Sequence, residues 1–230
     1  KNDGAKYYRL TADLDMTGYP WTTVPSITSS SAGFTLDGAG HIVSNLVITG
    51  GMTEDTDRLR GMFRKGGVYP ATFKDIVFED PVLSGSGAAG GNSAYMGLLV
   101  ARASGAGTVT FERVGIVNGT LTMTDGSSSA SKQLNGLFFG YMSGGSLSFK
   151  NCFATGTITS TSSDWKMHAG GFVGGMASGP TVTLEDCYVD VAFVNATQKG
   201  AFFGSSVEPT ARGVSFFNSA QAPYYDTSHT

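Results

Sequence analysis

The stretch Asn135-Gly136-Leu137-Phe138-Phe139-Gly140-Tyr141-Met142-Ser143-Gly144-Gly145-Ser146-Leu147-Ser148-Phe149-Lys150-Asn151-Cys152-Phe153-Ala154-Thr155-Gly156-Thr157-Ile158-Thr159 is the unit that this chain repeats. It has two anchors. The first is a Gly-apolar-aromatic segment, and it recurs at Gly61, Gly97, Gly136, Gly170 and Gly200. The second is an apolar-Ser/Thr-aromatic segment that runs into charged residues and a small apolar one; it recurs at Val43, Phe73, Phe111, Phe149, Leu184 and Phe216. Intervals of roughly 30 to 40 residues are the mark of a repeat architecture. Constant anchors at variable spacing mean that loops vary around a repeated core.

Within each copy apolar residues alternate with polar ones, as in Val109-Thr110-Phe111, Leu147-Ser148-Phe149 and Val182-Thr183-Leu184, the period of a strand with one buried face. Helical spacing is nowhere sustained. Three short strands per copy cannot bury their inner face alone, so each copy is expected to form one triangular rung stacked on its neighbours. Aligning the copies puts Lys74, Glu112, Lys150 and Glu185 at one outward position. Parallel in-register stacking, about 4.8 Å between rungs, would set each charge beside its opposite. The next position reads Asp75, Arg113, Asn151, Asp186, and the inward one after it Ile76, Val114, Cys152, Cys187.

The chain has 230 residues, 40% of them hydrophobic, which suffices for one domain or one elongated array. Its 33 glycines, with abundant Ser and Thr, suit an all-β chain with many turns. A net charge of -3 offers no basic stripe for nucleic acid. Cys152 and Cys187 fall at equivalent positions of adjacent copies. Side chains stacked in parallel register point the same way, so two buried thiols are expected rather than a bridge. No apolar run approaches the roughly 20 residues that span a bilayer. The opening Lys1-Asn2-Asp3-Gly4 reads as that of a mature or trimmed piece of a larger secreted protein.

Residues 7 to 17 alternate with Leu10, Ala12, Leu14 and Met16 on one face and read as an opening strand. A loop around Trp21 follows, then Phe34-Thr35-Leu36-Asp37-Gly38-Ala39-Gly40-His41-Ile42-Val43 begins the first rung. The segments YYRLTADLDM (7–16) and FTLDGAGHIVSNLVI (34–48), with rungs of the GLFFGYM and LSFKNCFATGTI type, resemble the GLUG-repeat family of secreted bacterial proteins. The resemblance spans residues 7 to 204 and is carried best by Gly136 to Gly140, Gly170 to Gly174 and Gly200 to Gly204. Lys65 and Ala101 replace the second glycine in the two earlier copies. Family members include adhesin-like chains and non-catalytic regions of large proteases. The resemblance therefore implies a right-handed parallel β-helix, outside the cell or on its surface, and no transferable catalytic set.

The expected architecture is thus all-β, a parallel β-helix of about six rungs. It would be a single domain, with residues 1–33 as an N-terminal strand and loop cap, 34–219 as rungs and 220–230 as a tail. Five inserts, at 49–60, 84–96, 125–135, 160–169 and 195–199, fall at the same corner and would come side by side. The binding residues are expected there: Trp165, Lys166 and His168, flanked by Lys132 and Gln133 and by Tyr95. Trp165 either stacks on a sugar or protein surface or folds back as a cover.

Other chemistry finds little footing. Asp13 and Asp15 share one strand but look like turn hydrogen bonders. Glu54, Asp55 and Asp57 lack the spacing of a calcium loop, and His41, His168 and His229 are too scattered for a metal set. The rows Thr120, Thr122, Thr124 and Thr157, Thr159, Thr161 should stack as a flat outward array. The expected function is a non-catalytic adhesin or binding scaffold, monomeric within a larger chain, needing no cofactor or metal and taking a glycan or a cell-surface protein as partner. A β-helix carbohydrate-active enzyme and a passive spacer are the alternatives.

Overall fold

The computed structural model describes residues 6–24, 33–49, 52–54, 57–66, 70–87, 92–124, 132–161, 167–205, 210–212 and 215–216. Among these every regular element is a β-strand, and all strand pairings are parallel except that of Met52–Glu54 with Asp57–Arg60. The chain winds as a β-solenoid of about 4 turns. One turn is Ala71–Glu79, Val82–Ser86, Ser93–Gly97 and Val100–Ala103, and the next begins at Thr108 directly over Ala71's neighbour. The first two strands of each turn join a 15-stranded sheet, the third a 6-stranded sheet and the fourth a 4-stranded sheet.

The large sheet bends where the chain turns left-handed. Asp75, Arg113, Asn151 and Asp186 stack at one corner with φ between 51° and 53°. A second corner is made by Asn45, Asp80 and Asn118, again with positive φ. Asn and Asp tolerate this region better than other side-chain residues, which is why they fill the columns. Each turn is consequently cut into more segments than the three of a triangular rung.

Inside, Phe73, Phe111, Phe149 and Leu184 stand in register, all at most 1% exposed. The rings stack with centroids 5.1 Å apart for Phe73 and Phe111 and 4.9 Å for Phe111 and Phe149. The expected inner column is therefore present. Its outer members differ from expectation, because the partner of Phe73 is Leu36, not Val43, and that of Leu184 is Ala211, not Phe216. Val43 and Phe216 pair with Phe78 and Val189, one segment further along the wall. Both columns alternate apolar and polar, so periodicity alone could not separate them. The number of full turns is about 4 and not the expected six, because among the described residues only four strands make up the smallest sheet and the end layers lack that wall. The opening strand is likewise two strands, Lys6–Arg9 and Leu14–Asp15, because the first corner falls between them.

The glycine anchor has a steric cause. The third and fourth strands of each turn cross with their backbones in contact. A Cβ on Gly136 would lie 2.4 Å from the Phe139 carbonyl oxygen and 2.6 Å from the Gly174 nitrogen, and one on Gly170 would lie 2.1 Å from the Val173 oxygen and 2.5 Å from the Gly204 nitrogen. In the Gly61 copy the turn is one residue shorter, so Ala101 pairs with Arg64 rather than with Lys65.

Cys152 and Cys187 are buried at equivalent corners of adjacent turns, between the first and second strands of each, and are unbridged. Each thiol donates to a backbone carbonyl, Cys152 to Phe111 and Cys187 to Glu185, at 3.3 Å. They act as small hydrophobes with their one donor used.

Candidate functional site

The outer wall beside the phenylalanine stack carries a longer charge ladder than the sequence suggested. Arg9, Asp37, Lys74, Glu112, Lys150 and Glu185 are successive register partners, alternating in sign throughout. Lys74 pairs with Asp37 at 3.1 Å and Lys150 with Glu185 at 3.2 Å. Glu112 pairs instead with Arg113, whose Nη2 also donates to Asp75 at 3.1 Å. The ladder neutralises itself, which suits a wall better than an acid/base centre.

Asp13 and Asp15 are committed in the same way. Asp13 accepts from the Ile42 N–H at 3.0 Å and contacts His41 Nδ1 at 2.9 Å. Asp15 accepts from Asn45 Nδ2 and from the Thr17 hydroxyl and N–H. These bonds hold both carboxyls below their ordinary value. Trp21 donates from Nε1 to the Met62 oxygen at 2.9 Å and meets the Phe63 ring edge-on, so it helps cover the solenoid end.

Asp37 titrates furthest from its ordinary range among the described carboxylates. The Tyr7 hydroxyl, the Ala39 N–H and Lys74 together hold its carboxyl down to about 2 against the opposing effect of burial. A folded-state value below the unfolded one means the contribution is complete above about pH 4 and is lost as pH falls towards about 2. Urea unfolding should show the midpoint dropping across that window. Asp37→Asn should lower the midpoint at neutral pH and flatten the drop.

The inserts do come to one edge, since both flanks of each are stacked: Ser86 on Thr124 and Met123 on Ser160 before them, Ser93 on Lys132 and Gln133 on Met167 after them. They are shorter than expected. Ser93–Gly97, Lys132–Gly136 and Met167–Gly170 are strands of the 6-stranded sheet. Tyr95 and Gln133 accordingly sit in the wall and not on loop tips: Tyr95 is 5% exposed and Gln133 fully buried. Tyr95 stacks on Tyr141 at 4.7 Å, with the Arg102 guanidinium 5.6 Å from the Tyr95 ring centroid. His168 is half-buried in register with Leu134 and lines a pocket of about 90 Å³ with Tyr141, Met176 and Ser205. Trp165 and Lys166 lie outside the described residues, as does the side chain of Lys132. Glu54, Asp55 and Asp57 also have no described side chain. The structure thus brings His168 into the column of Tyr95, and places neither Tyr95 nor Gln133 where a partner could touch it.

The threonine rows stack as expected, Thr120 on Thr157 and Thr122 on Thr159. A second outward row runs along the first side of the large sheet, through Thr35, Thr72, Thr110, Ser148 and Thr183. No helix of the described residues is long and apolar enough to cross a membrane.

Comparison with solved structures finds this arrangement in a Bacteroides ovatus chain provisionally named an immunoglobulin A1 protease. The TM-score is 0.59 at 15% identity, over 95% of this chain and 70% of that one. The likeness shows the fold. No protein-family model matches the chain, and no curated protein does.

Proposed function

We propose that this β-solenoid is a non-catalytic binding scaffold of an extracellular or surface-attached bacterial protein. It presents the edge where its inserts gather to a glycan or a cell-surface protein. The observation that carries this reading is the stacking of the insert flanks at one edge of a wall whose own charges are internally paired. Variable segments gathered along one edge of a rigid repeat are the usual place for recognition. The paired glycines at the Gly136–Gly140 and Gly170–Gly174 crossings support assignment to the GLUG type, with a surface location following from that assignment.

The test is binding of the purified chain to a glycan array and to host-cell surfaces, with Trp165→Ala alongside. The substitution is expected to weaken binding by about tenfold or more while leaving the melting temperature unchanged. A melting temperature lowered by several degrees with binding intact would make Trp165 a cover and sink the insert edge as the binding surface.

A further inference from the structure

Away from the insert edge, the large sheet carries a step that repeats nowhere else in the described residues. Along most of the wall the second corner is built by an extra left-handed residue, Asn45, then Asp80, then Asn118. The following turn has no counterpart to Asn118: Ile116 pairs with Ala154, Gly119 already with Gly156, and the register shifts between them. The close fit there requires glycine, since a Cβ on Gly156 would stand 2.0 Å from the Gly119 oxygen. Asn118 overhangs the shortened turn and is pinned at both ends, its N–H donating to Thr155 Oγ1 at 2.9 Å and its Nδ2 to Asp80 at 3.2 Å.

Beneath the overhang is a groove of about 400 Å³, lined by Asn118, Thr120, Thr155, Thr157 and Asp190 among others. The groove is shallow and open to solvent, and its lining is more polar than apolar. Its polar groups suit a polyol. Among the described residues Asp190, which is exposed, makes no ion pair, and the Asn118 amide oxygen accepts no hydrogen bond. Thr120 and Thr157 stand side by side as hydroxyls that both donate and accept.

Beside the groove, outside its lining, stands an outward column with aromatic residues. Two residues before Thr155 and Asp190, roughly 7 Å along each strand, stand Phe153 and Tyr188, register partners and both half-buried. Phe153 leans over the strand of the preceding turn, with its Cζ where a side chain on Gly115 would begin. A glycine there lets the ring lie across the wall instead of standing off it.

We infer that this step is a binding site for a neutral sugar residue. The C–H face of the pyranose lies against Phe153 and Tyr188 and its hydroxyls bond to Asp190, Asn118 and Thr157. The site deepens the scaffold reading by naming a ligand class, but it is separate from the insert edge and stands or falls on its own.

The test uses the full chain on an array of neutral hexose and N-acetylhexosamine oligosaccharides, followed by calorimetric titration with the best binder. Asp190→Asn and Tyr188→Ala are each expected to weaken binding by at least about tenfold, with Trp165→Ala leaving it unchanged. Because Tyr188 is half-buried, thermal unfolding is recorded for both variants, and Asp190→Asn, at an exposed position, carries the result if Tyr188→Ala is unstable. The site is overturned if no neutral sugar binds. It is equally overturned if binding survives both substitutions and is lost with Trp165→Ala, a result that would leave the insert-edge reading standing. Calcium titrated alone with Asp190-dependent heat, and no sugar bound, would make the step a cation site and also overturn it.

Discussion

Phe149→Ala is expected to destabilise the chain by roughly 3 to 5 kcal/mol, read as a lowered urea midpoint. The ring is fully buried, stacked on Phe111 at 4.9 Å and in contact with Phe138 at 5.5 Å and Phe172 at 5.0 Å. Removing it opens a void in the middle of the aromatic ladder, where the neighbours are themselves held by rungs above and below and cannot collapse inward. Each rung contacts only the next, so the loss should also divide the array into two weakly coupled halves. A second unfolding transition, or a shallower slope, would be the sign of that division. A loss below about 1 kcal/mol would mean that the rings are interchangeable filler and the stack is not the spine of the fold.

Gly136→Ala should be as damaging although it adds only one methyl group. Its Cβ would meet the Phe139 oxygen, the Gly174 nitrogen and the Phe172 oxygen between 2.4 and 2.7 Å, all of them backbone atoms. No side chain can rotate away to relieve the clash, so the crossing strands must separate and give up hydrogen bonds on both sheets. The expected cost is at least about 3 kcal/mol, with loss of soluble expression as the practical readout. Gly18→Ala is the control: nothing lies within 4 Å of its Cβ, and its only penalty is a φ of 81°. If Gly136→Ala were the milder of the two, the glycine anchor would reflect chain flexibility and not close approach.

Much of this architecture was legible in the sequence because a parallel in-register stack sets each residue beside its own equivalent. Pairing that is remote along the chain is therefore written as local repetition. The Phe73, Phe111, Phe149 column, the alternation of Lys74, Glu112, Lys150 and Glu185, and the adjacent Cys152 and Cys187 all follow from aligning copies. The corner residues were visible too, as the column Asp75, Arg113, Asn151, Asp186, but nothing in residue type marks a corner when Arg113 occupies one.

The candidate site was far less legible. Tyr95 and Gln133 read as loop residues because Ser93–Gly97 and Lys132–Gly136 show no alternation. Those strands pack against the main core on one side and a second cluster around Leu59, Tyr95, Leu134 and Tyr141 on the other. A strand buried on both faces loses the period of two that announces it.

The sequence by itself determined the period, the inward columns and the self-neutralising ladder, since each depends only on which residues recur at which interval. Tertiary structure alone decided which apolar column Val43 and Phe216 join, which strands are buried twice, and where the Asn118 step opens the wall. The column that Val43 and Phe216 join and the double burial depend on where the corners fold the chain, and the Asn118 step on a one-residue shift in register, which changes what a side chain touches while leaving the composition of its repeat almost unaltered.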